Sequence, residues 1–413
     1  MSSVYSLMAT TQRGLEGVLK AEVRRMGGRK PAIGPGRVRF SADEEGMLEA
    51  CLRLRTASRV LQVLGTCPAP DVTTLYRAVH ALDWPRWVAP TQTIALRVTT
   101  IGPSPLHPKQ AMLKIKDALV DRIRDACGAR PNIDRKHPDV RLIVMLEGED
   151  AILGLDLVGD SLHKRYYRTQ EGPAPLKEHL AAGLLLLSGW RPGIPLEDPF
   201  CGTGTIVIEA AMIAAGMAPG LGRRFALEGH RMHTASRRAR LEALRARIAD
   251  ERRAVGSIHL RGVDRDPRMV DIARLNAERA GVASMVSFDV GEMKGWRSPA
   301  PRAWVITNPP YGVRLKAGDE RRRELYAQIS EGLSAAPLDR AWILAADPGI
   351  ERAIRRPVSE RHRLFNGPIE VWAYRFDAPA SGGRASRGRR GPASARRGGA
   401  RPGRKAGRGK RKR

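Results

Sequence analysis

The sequence predicts an α/β protein in which a mostly parallel sheet, expected to hold seven strands, follows a separate α+β module. From Leu176 onward, strand and helix patterns alternate, which is typical of parallel sheets covered by helices on both faces. Before that point, strands and helices are mixed without such regularity. In segment 196–211, an apolar strand ends at an acid, and a glycine-rich turn leads into an apolar helix.

The charge of the chain is large and unevenly distributed. The 413 residues carry a formal net charge of +29, and residues 378–413 hold 14 basic residues and no acid. The rest of the chain therefore carries about +15, which favours a polyanionic partner. The alternative explanation is that the positive charge serves only to keep the protein soluble.

The N-terminal part shows the patterns of an α+β module. Thr11 is expected to cap a helix that Gly27 and Gly28 end. Alternating apolar residues predict a strand around Ile94–Val98, and helical spacing predicts a helix with a basic outer face around Met112–Ile123. Two alternating runs within 140–157, joined by a polar turn, predict a hairpin.

A basic segment, His163–Arg168, lies between the two parts of the chain. Its cations and tyrosines suit contact with a phosphate backbone. A solvated connector with buried tyrosine rings is the alternative, and the sequence does not decide between them.

The second part is expected to contain a helix after Leu176 and then five strands, near 196–199, 258–263, 286–288, 303–307 and 341–346. A turn at Asn366–Pro368 predicts a final antiparallel hairpin. The segment 378–413 has no aromatic or branched aliphatic residue, so we expect it to be disordered and to tether RNA or DNA without sequence specificity.

Other classes of protein lack support in the sequence. The four cysteines form no C-x-x-C pair and the histidines show no H-x-x-x-H spacing, so no metal is expected. No apolar run is long enough to span a bilayer and no signal peptide is visible, so we expect a soluble, cytoplasmic protein.

The glycine turn is the first candidate site. A strand ends at Asp198, and Gly202 and Gly204 leave room for a small polar ligand against the backbone amides before a helix that begins near Thr205. A dinucleotide fingerprint is the alternative, but Val207 stands where its third glycine belongs. The next acid at a predicted strand end, Asp264, also lies much further along the chain than the ribose-binding acid of a nicotinamide enzyme, which is expected about 20 residues after the glycines.

Two further acids follow predicted strands and are expected to face the same crevice. Asp264 is placed to accept the ribose hydroxyls of a nucleoside cofactor, and Asp289 to accept an adenine amino group. Asp198 is then expected to hold the ammonium of a methionine moiety. Each acid alone also suits a helix cap, but their order after successive strands favours the binding role.

The second candidate site is Asn308–Pro309–Pro310–Tyr311. Two prolines fix two φ angles and remove two N–H donors, so that backbone carbonyls face a pocket. If Asn308 and the Pro309 carbonyl accept the hydrogens of an exocyclic amine, its lone pair is turned towards an incoming methyl group, while Tyr311 stacks on the base. Together with the glycine turn, this predicts an N-methyltransferase. A tight turn with a packed tyrosine is the alternative, and Cys201 is expected to pack rather than react.

These residues resemble the THUMP-domain guanine-N2 RNA methyltransferases, and within that family the N-terminal half of the bifunctional 23S rRNA enzymes. The resemblance covers almost all of 5–374. It rests on matches in the same order, including Thr11–Glu16, Lys114–Ala118, Pro131–Arg135, Leu155–Asp160, Pro175–Glu178, Asp198–Ala211, Asn308–Gly312 and Asn366–Pro368.

The resemblance implies a ferredoxin-like plus THUMP module that binds RNA in 1–165, with THUMP at about 46–158, and a class I Rossmann-like methyltransferase domain in 166–377. S-adenosylmethionine is the implied cofactor. The residues expected to hold it are Asp198, Phe200, Gly202, Gly204, Thr205, Asp264 and Asp289, and those expected at the target base are Asn308, Pro309, Pro310 and Tyr311. The guanine-7-methylation of the bifunctional enzymes is expected to be absent, and the basic tail 378–413 departs from the family pattern.

The expected function is N2-methylation of a guanosine in 23S rRNA. The same reaction on a tRNA is the nearest alternative. Glutamine methylation of a protein and a non-catalytic RNA-binding role come from other classes, and adenine-N6 methylation uses a similar Asn-Pro-Pro motif. The sequence leaves the oligomeric state open.

Overall fold

Two β-sheets, one in each half of the chain, organise the structure, a computed structural model that describes residues 4–168, 176–310 and 319–378. Within those residues, the N-terminal sheet has eight strands and the C-terminal sheet has seven. This confirms the predicted fold class, an α+β module followed by an α/β domain with a mostly parallel sheet.

The N-terminal sheet has the strand order β2-β3-β1-β4-β8-β7-β5-β6. Its elements are β1 (Tyr5–Thr10), α1 (Glu16–Arg25), β2 (Arg29–Gly34), β3 (Arg37–Ala42), α2 (Glu44–Arg53), β4 (Arg59–Pro68), α3 (Val72–His80), β5 (Thr93–Thr100), α4 (Pro108–Cys127), β6 (Asn132–Ile133), β7 (Val140–Glu147) and β8 (Asp150–Asp156). Strand β5 runs parallel to β6 and β7, whereas the other pairs are antiparallel. The predicted strand, helix and hairpin within 94–157 are all confirmed.

The predicted start of the first helix was wrong. Thr11 does not cap α1, because its hydroxyl donates to the carbonyl oxygen of Thr56 at 2.7 Å. Gly14 then adopts a φ of +93°, and the helix begins only at Glu16. The predicted end is confirmed, since α1 stops at Arg25 and Gly27 has a φ of +82°.

The C-terminal sheet has the strand order β11-β10-β9-β12-β13-β15-β14. Its elements are α5 (Glu178–Ser188), β9 (Leu196–Asp198), α6 (Thr205–Ala214), α7 (Ala235–Asp250), β10 (Leu260–Asp264), α8 (Pro267–Arg279), β11 (Ser287–Val290), β12 (Trp304–Thr307), α9 (Asp319–Ala335), β13 (Arg340–Ala345), α10 (Gly349–Ala353), β14 (Val358–Asn366) and β15 (Ile369–Asp377). The five strands from β11 to β13 are parallel, and β15 and β14 are antiparallel. The predicted strands and the final hairpin are confirmed.

The order of this sheet positions a binding crevice. The chain builds outward from β9 to β10 and β11 on one side, then returns to β12 on the other side of β9. Where strand order reverses in this way, the loops at the carboxyl ends separate and leave a crevice. The two candidate sites follow β9 and β12, so both open into this crevice.

The basic insertion 223–253 packs against the N-terminal module. Leu241, Leu244 and Ile248 of α7 share a core with residues of α2. Several of its charged residues form ion pairs with that module: Arg237 with Glu44, Arg247 with Glu45 and Glu49, and Glu251 with Arg53. Three arginines of the insertion, Arg237, Arg240 and Arg247, are thus paired with carboxylates of the N-terminal module.

Three side chains of the connector 163–168 are buried, whereas those of Lys164 and Tyr166 are exposed. The Arg165 side chain is 1% exposed, and its Nε lies 3.3 Å from Oε1 of Glu209 on α6. Arg168 pairs with Glu178 at 3.3 Å, and the hydroxyl of the buried Tyr167 donates to Glu209 at 3.4 Å. For these three side chains, burial favours the second of the two interpretations that the sequence left open, a connector with a buried tyrosine ring.

The structure does not describe the basic tail after Ala378. Its disorder and its tethering of RNA therefore stay predictions. Among the helices of the described part of the chain, none is both long and apolar enough to cross a membrane.

Replacing Glu209 with alanine is expected to lower the free energy of unfolding by about 3–5 kcal/mol, because it leaves the Arg165 guanidinium buried without its counter-charge. Urea denaturation followed by tryptophan fluorescence measures the change. Glu242→Ala, at an exposed position of α7, is the control and is expected to change this free energy by less than about 0.5 kcal/mol. Equal unfolding curves for the two variants would show that the ion pair contributes nothing.

Candidate active site

The glycine turn after β9 adopts a conformation that only glycine tolerates well. Gly202 has a φ of +53° and Gly204 a φ of +81°, both in the left-handed region. A Cβ at Gly204 would lie 2.8 Å from Cζ of Phe288, whereas a Cβ at Gly202 would meet no atom of the described residues within 4 Å. The turn is therefore packed on its Gly204 side and open on its Gly202 side, where a ligand has room to approach the backbone. Helix α6 starts at Thr205, as predicted.

Asp198 ends β9 as a buried carboxylate that is only 1% exposed. Its Oδ1 accepts the hydroxyl hydrogen of Thr307 at 2.6 Å and the N–H of Phe200 at 3.2 Å. Burial raises the pKa of Asp198 to about 7, and the negative charges of Asp264 and Glu197 add to the increase. A cation bound beside this carboxylate would counter all three effects, so the site suits a ligand ammonium.

Asp264 ends β10 and braces the glycine turn. Its Oδ2 accepts the N–H of Gly202 at 2.9 Å, and its Oδ1 accepts the N–H of Asp266 at 3.0 Å. Each carboxylate oxygen keeps a further lone pair, which a ligand hydroxyl can use. Asp264 pairs in register with Val290, and Gly262, two residues earlier, pairs with Asp198. Side chains alternate along a strand, so Asp198 and Asp264 lie on the same face of the sheet.

The structure does not place Asp289 with these two acids. It precedes Val290, the register partner of Asp264, and so projects towards the opposite face. There its Oδ2 accepts from Nε of Arg261 at 2.6 Å, and Arg261 also reaches Glu197 at 3.4 Å. The role of Asp289 at adenine stays a prediction.

Glu292 is an acid near the crevice that the sequence analysis missed. It comes two residues after β11 ends, at an exposed position. The N–H of its neighbour Gly291 donates to the backbone carbonyl of Asp264 at 3.0 Å. Its place after a short strand is the signal that could have identified it.

The second motif leaves a buried acceptor without a partner. Asn308 follows the last residue of β12 and is partly buried. Its side-chain Oδ1 is inaccessible to solvent and accepts no hydrogen bond from the residues that the structure describes. Pro309 is buried and Pro310 partly buried, and neither has an N–H to offer. Tyr311, the fourth residue of the predicted set, lies outside the described residues.

Thr307, Arg168 and Thr205 link the motifs to their surroundings. The sequence analysis missed Thr307, whose hydrogen bond to Asp198 joins positions 109 residues apart. It also missed Arg168 as a neighbour of the site, although its Nη2 donates to Oγ1 of Thr205 at 2.8 Å. Neither contact has a spacing signal in the sequence. Phe200 is partly buried and packs against the core that includes Val263 and Val305.

Cys201 is buried within the turn, as expected for a packing residue. Burial raises the pKa of its thiol far above the ordinary value, with smaller contributions from nearby acids, so the thiolate nucleophile is disfavoured. In the part of the chain that the structure describes, no three His, Cys, Asp or Glu side chains lie together as a metal site.

Three segments of the chain match known domain families. Residues 165–374 match the RMKL-like methyltransferase domain, residues 6–61 the RlmL ferredoxin-like domain, and residues 69–156 the THUMP domain. The methyltransferase match contains both candidate motifs.

Solved structures resemble the chain over nearly its whole length. SMU.472, a methyltransferase in complex with S-adenosylhomocysteine (SAH), is 30% identical with a TM-score of 0.80, over 92% of this chain and 99% of its own. A Listeria monocytogenes protein named as a predicted N6-adenine-specific DNA methylase is 28% identical with a TM-score of 0.81, over 91% of this chain and 97% of its own. TrmN from Thermus thermophilus, at 23% identity and a TM-score of 0.66 over 91% and 99%, shows the shared fold alone.

Replacing Gly204 with alanine is expected to weaken SAH binding by about tenfold or more, because the left-handed backbone becomes strained and the new Cβ meets Phe288. Isothermal titration calorimetry with SAH measures the loss, and a thermal melt shows whether the variant is folded. Gly222→Ala is the matched control, since a Cβ there would meet no atom within 4 Å. Unchanged SAH affinity in a folded Gly204→Ala protein would contradict the assignment of this turn to the cofactor.

Proposed function

We propose that this chain, which belongs to the RMKL-like methyltransferase family, transfers a methyl group to the N2 atom of a guanosine in 23S rRNA. Its family and its THUMP domain make it an S-adenosylmethionine-dependent RNA methyltransferase. The sequence predictions of the cofactor, of the guanine-N2 RNA methyltransferase class and of an RNA partner are thereby confirmed. The modified RNA and nucleotide, and the cytoplasmic location, belong to the proposal.

The observation that carries the proposal is the unpaired Oδ1 of Asn308. A buried acceptor without a hydrogen bond costs about 1–3 kcal/mol, so such an atom is retained where a ligand satisfies it. The amino group of a flipped base carries two hydrogens. In the proposal, Asn308 Oδ1 accepts one and the carbonyl of Pro309 accepts the other, which directs the nitrogen lone pair out of the base plane.

The residues after β9 and β10 fit the cofactor. In the proposal, Asp198 holds the ammonium of its methionine part, the turn with Phe200, Gly202, Gly204 and Thr205 lies along that part, and Asp264 holds the ribose. The raised pKa of Asp198 and the open side of Gly202 support this placement. The bound cofactor supplies an electrophilic methyl group on a sulfonium. The protein aligns the acceptor amine with that group and excludes water.

The adenine end has two candidate acceptors. Asp289 is the residue predicted from the sequence, and its carboxylate is paired with Arg261. Glu292 is exposed and follows the strand end nearest Asp264. Asp289 stays in the proposal, with Glu292 as the alternative. In the same proposal, Tyr311 stacks on the target base.

The choice of 23S rRNA rests on the family resemblance and on the RlmL ferredoxin-like match at 6–61. Within the proposed division, 1–165 binds RNA, 166–377 catalyses, and 378–413 is a basic tail. A tRNA guanosine is the second candidate substrate. The name of the Listeria relative also makes adenine-N6 chemistry worth testing. The THUMP match counts against a protein substrate, and the intact candidate site counts against a non-catalytic role.

The test is methylation in vitro of separated 23S rRNA, 16S rRNA and tRNA from a strain that lacks the gene, with labelled S-adenosylmethionine and nucleoside mass spectrometry. N2-methylguanosine in 23S rRNA alone is the expected result. N2-methylguanosine in tRNA would make tRNA the substrate instead of 23S rRNA. N6-methyladenosine in any RNA would make adenine the target base instead of guanine. If none of the three free RNAs is labelled, the proposal is overturned for free RNA. Partly assembled ribosomal subunits are therefore included as a fourth substrate.

Replacing Asn308 with alanine is expected to lower kcat by about 10²–10³-fold, because the amine loses the acceptor that orients it. SAH affinity should stay near that of the wild type, as Asn308 lies outside the cofactor turn. Single-turnover methylation and calorimetry measure the two quantities. Asn308→Asp, which keeps an acceptor oxygen at the same position, should retain more activity than the alanine variant. An equal loss of SAH binding and of methyl transfer would show that Asn308 supports the fold instead.

A further inference from the structure

One hydrogen bond joins the two candidate motifs. Strands β9 and β12 are parallel neighbours, so their carboxyl ends meet at the same edge of the sheet. At that edge the hydroxyl of Thr307, the last residue of β12, donates to Oδ1 of Asp198, the last residue of β9, at 2.6 Å. Both side chains are 1% exposed, so no bulk water competes for the bond.

We propose that Thr307 is a positioning residue that ties the cofactor-binding carboxylate to the base-binding turn, so that the two substrates are aligned by one hydrogen bond. The inference rests on the proposed function, because it takes Asp198 as the residue that holds the methionine ammonium and Asn308 as the residue that orients the amine.

The first consequence concerns the charge of Asp198. Two negative charges act on it: that of Asp264, on the same face of the sheet, and that of its neighbour Glu197, which projects to the opposite face and pairs with Arg261 and His259. The Cys201 thiol in the turn is neutral. Burial and the two acids raise its pKa to about 7, while the Thr307 hydroxyl and the Phe200 N–H act in the opposite direction. Removing the hydroxyl therefore raises this pKa further, and less of the carboxylate is ionised at neutral pH.

The second consequence concerns Asn308. Its backbone is restricted because Pro309 follows it, and residues before proline avoid the helical region. A shift at Thr307 therefore passes to Asn308 as a nearly rigid displacement instead of being absorbed by the next φ and ψ angles. The bond between Thr307 and Asp198 fixes where this short segment begins.

The test compares Thr307→Val, which keeps the shape but loses the hydroxyl, with Thr307→Ser, which keeps the hydroxyl. SAH affinity is measured by calorimetry between pH 6 and 8.5, and variants are compared at equal pH so that titration of the ligand cancels. For the wild type, affinity should fall as the pH drops through about 7, where Asp198 takes up a proton. For Thr307→Val, the midpoint should move upward by about one pH unit, which lowers affinity at pH 7 by about fivefold. Thr307→Ser should follow the wild-type profile.

A second measurement concerns the amine. In single-turnover methylation at saturating cofactor and at pH 8.5, where most of the pH effect is removed, Thr307→Val should still show a lower rate with an unchanged KM for RNA. A midpoint equal to that of the wild type, or a full rate at saturating cofactor, would overturn the coupling.

Asp198→Asn separates the failure of this inference from the failure of the proposed function. It should bind SAH weakly at every pH, without the titration near pH 7. If Asp198→Asn binds SAH as the wild type does, the assignment of Asp198 to the cofactor is wrong. If it does not, while Thr307→Val behaves as the wild type, only the role of Thr307 is wrong.

Discussion

The buried carboxylate of Glu209 is the constraint on which the arrangement of this molecule depends. It lies on α6, the helix that begins at Thr205 directly after the glycine turn. Arg165 and Tyr167 of the connector both approach Oε1 of Glu209, and Arg165 also donates to the carbonyl of Arg55 in the N-terminal module at 2.6 Å. A charge with no access to water must keep its partner. Helix α6, which follows the glycine turn, is therefore fixed to the connector and to the N-terminal module at the same point.

From that fixed helix, the rest of the site follows from strand order. Asp198 lies at the carboxyl end of the short strand β9. Asp264 and Thr307 lie at the carboxyl ends of its neighbours β10 and β12. The two motifs are far apart in sequence, yet a hydrogen bond joins them, since parallel neighbours end together. The proposed reaction needs mainly alignment of an amine with a methyl donor, and two adjacent rigid turns at the carboxyl ends of β9 and β12 suit that requirement.

Local patterns predicted the elements well and the side-chain environments less well. The hairpin within 140–157 and the helix at Thr205 were predictable because alternation and glycine spacing are properties of the chain itself. Thr11 was wrongly assigned as a helix cap. A threonine just before a helix is typical of a cap, and the sequence does not show that its hydroxyl instead donates to the distant carbonyl of Thr56. The direction of Asp289 depends on the strand register, which composition does not reveal. Arg165 shows the same limit, because a buried ion pair and a phosphate contact have the same sequence signature.

The position of the arginines also changes what the net charge of the chain implies. Arg165 of the connector is paired with Glu209, and Arg237, Arg240 and Arg247 of the insertion 223–253 are paired with glutamates of the N-terminal module. Charges committed in this way release no counterions when RNA binds. The cations that remain for phosphate contacts in the described residues are exposed ones, such as Lys109 and Lys114 on α4. The salt dependence of RNA binding should therefore reflect these exposed residues and the tail, and it should be weaker than a formal charge of +29 suggests.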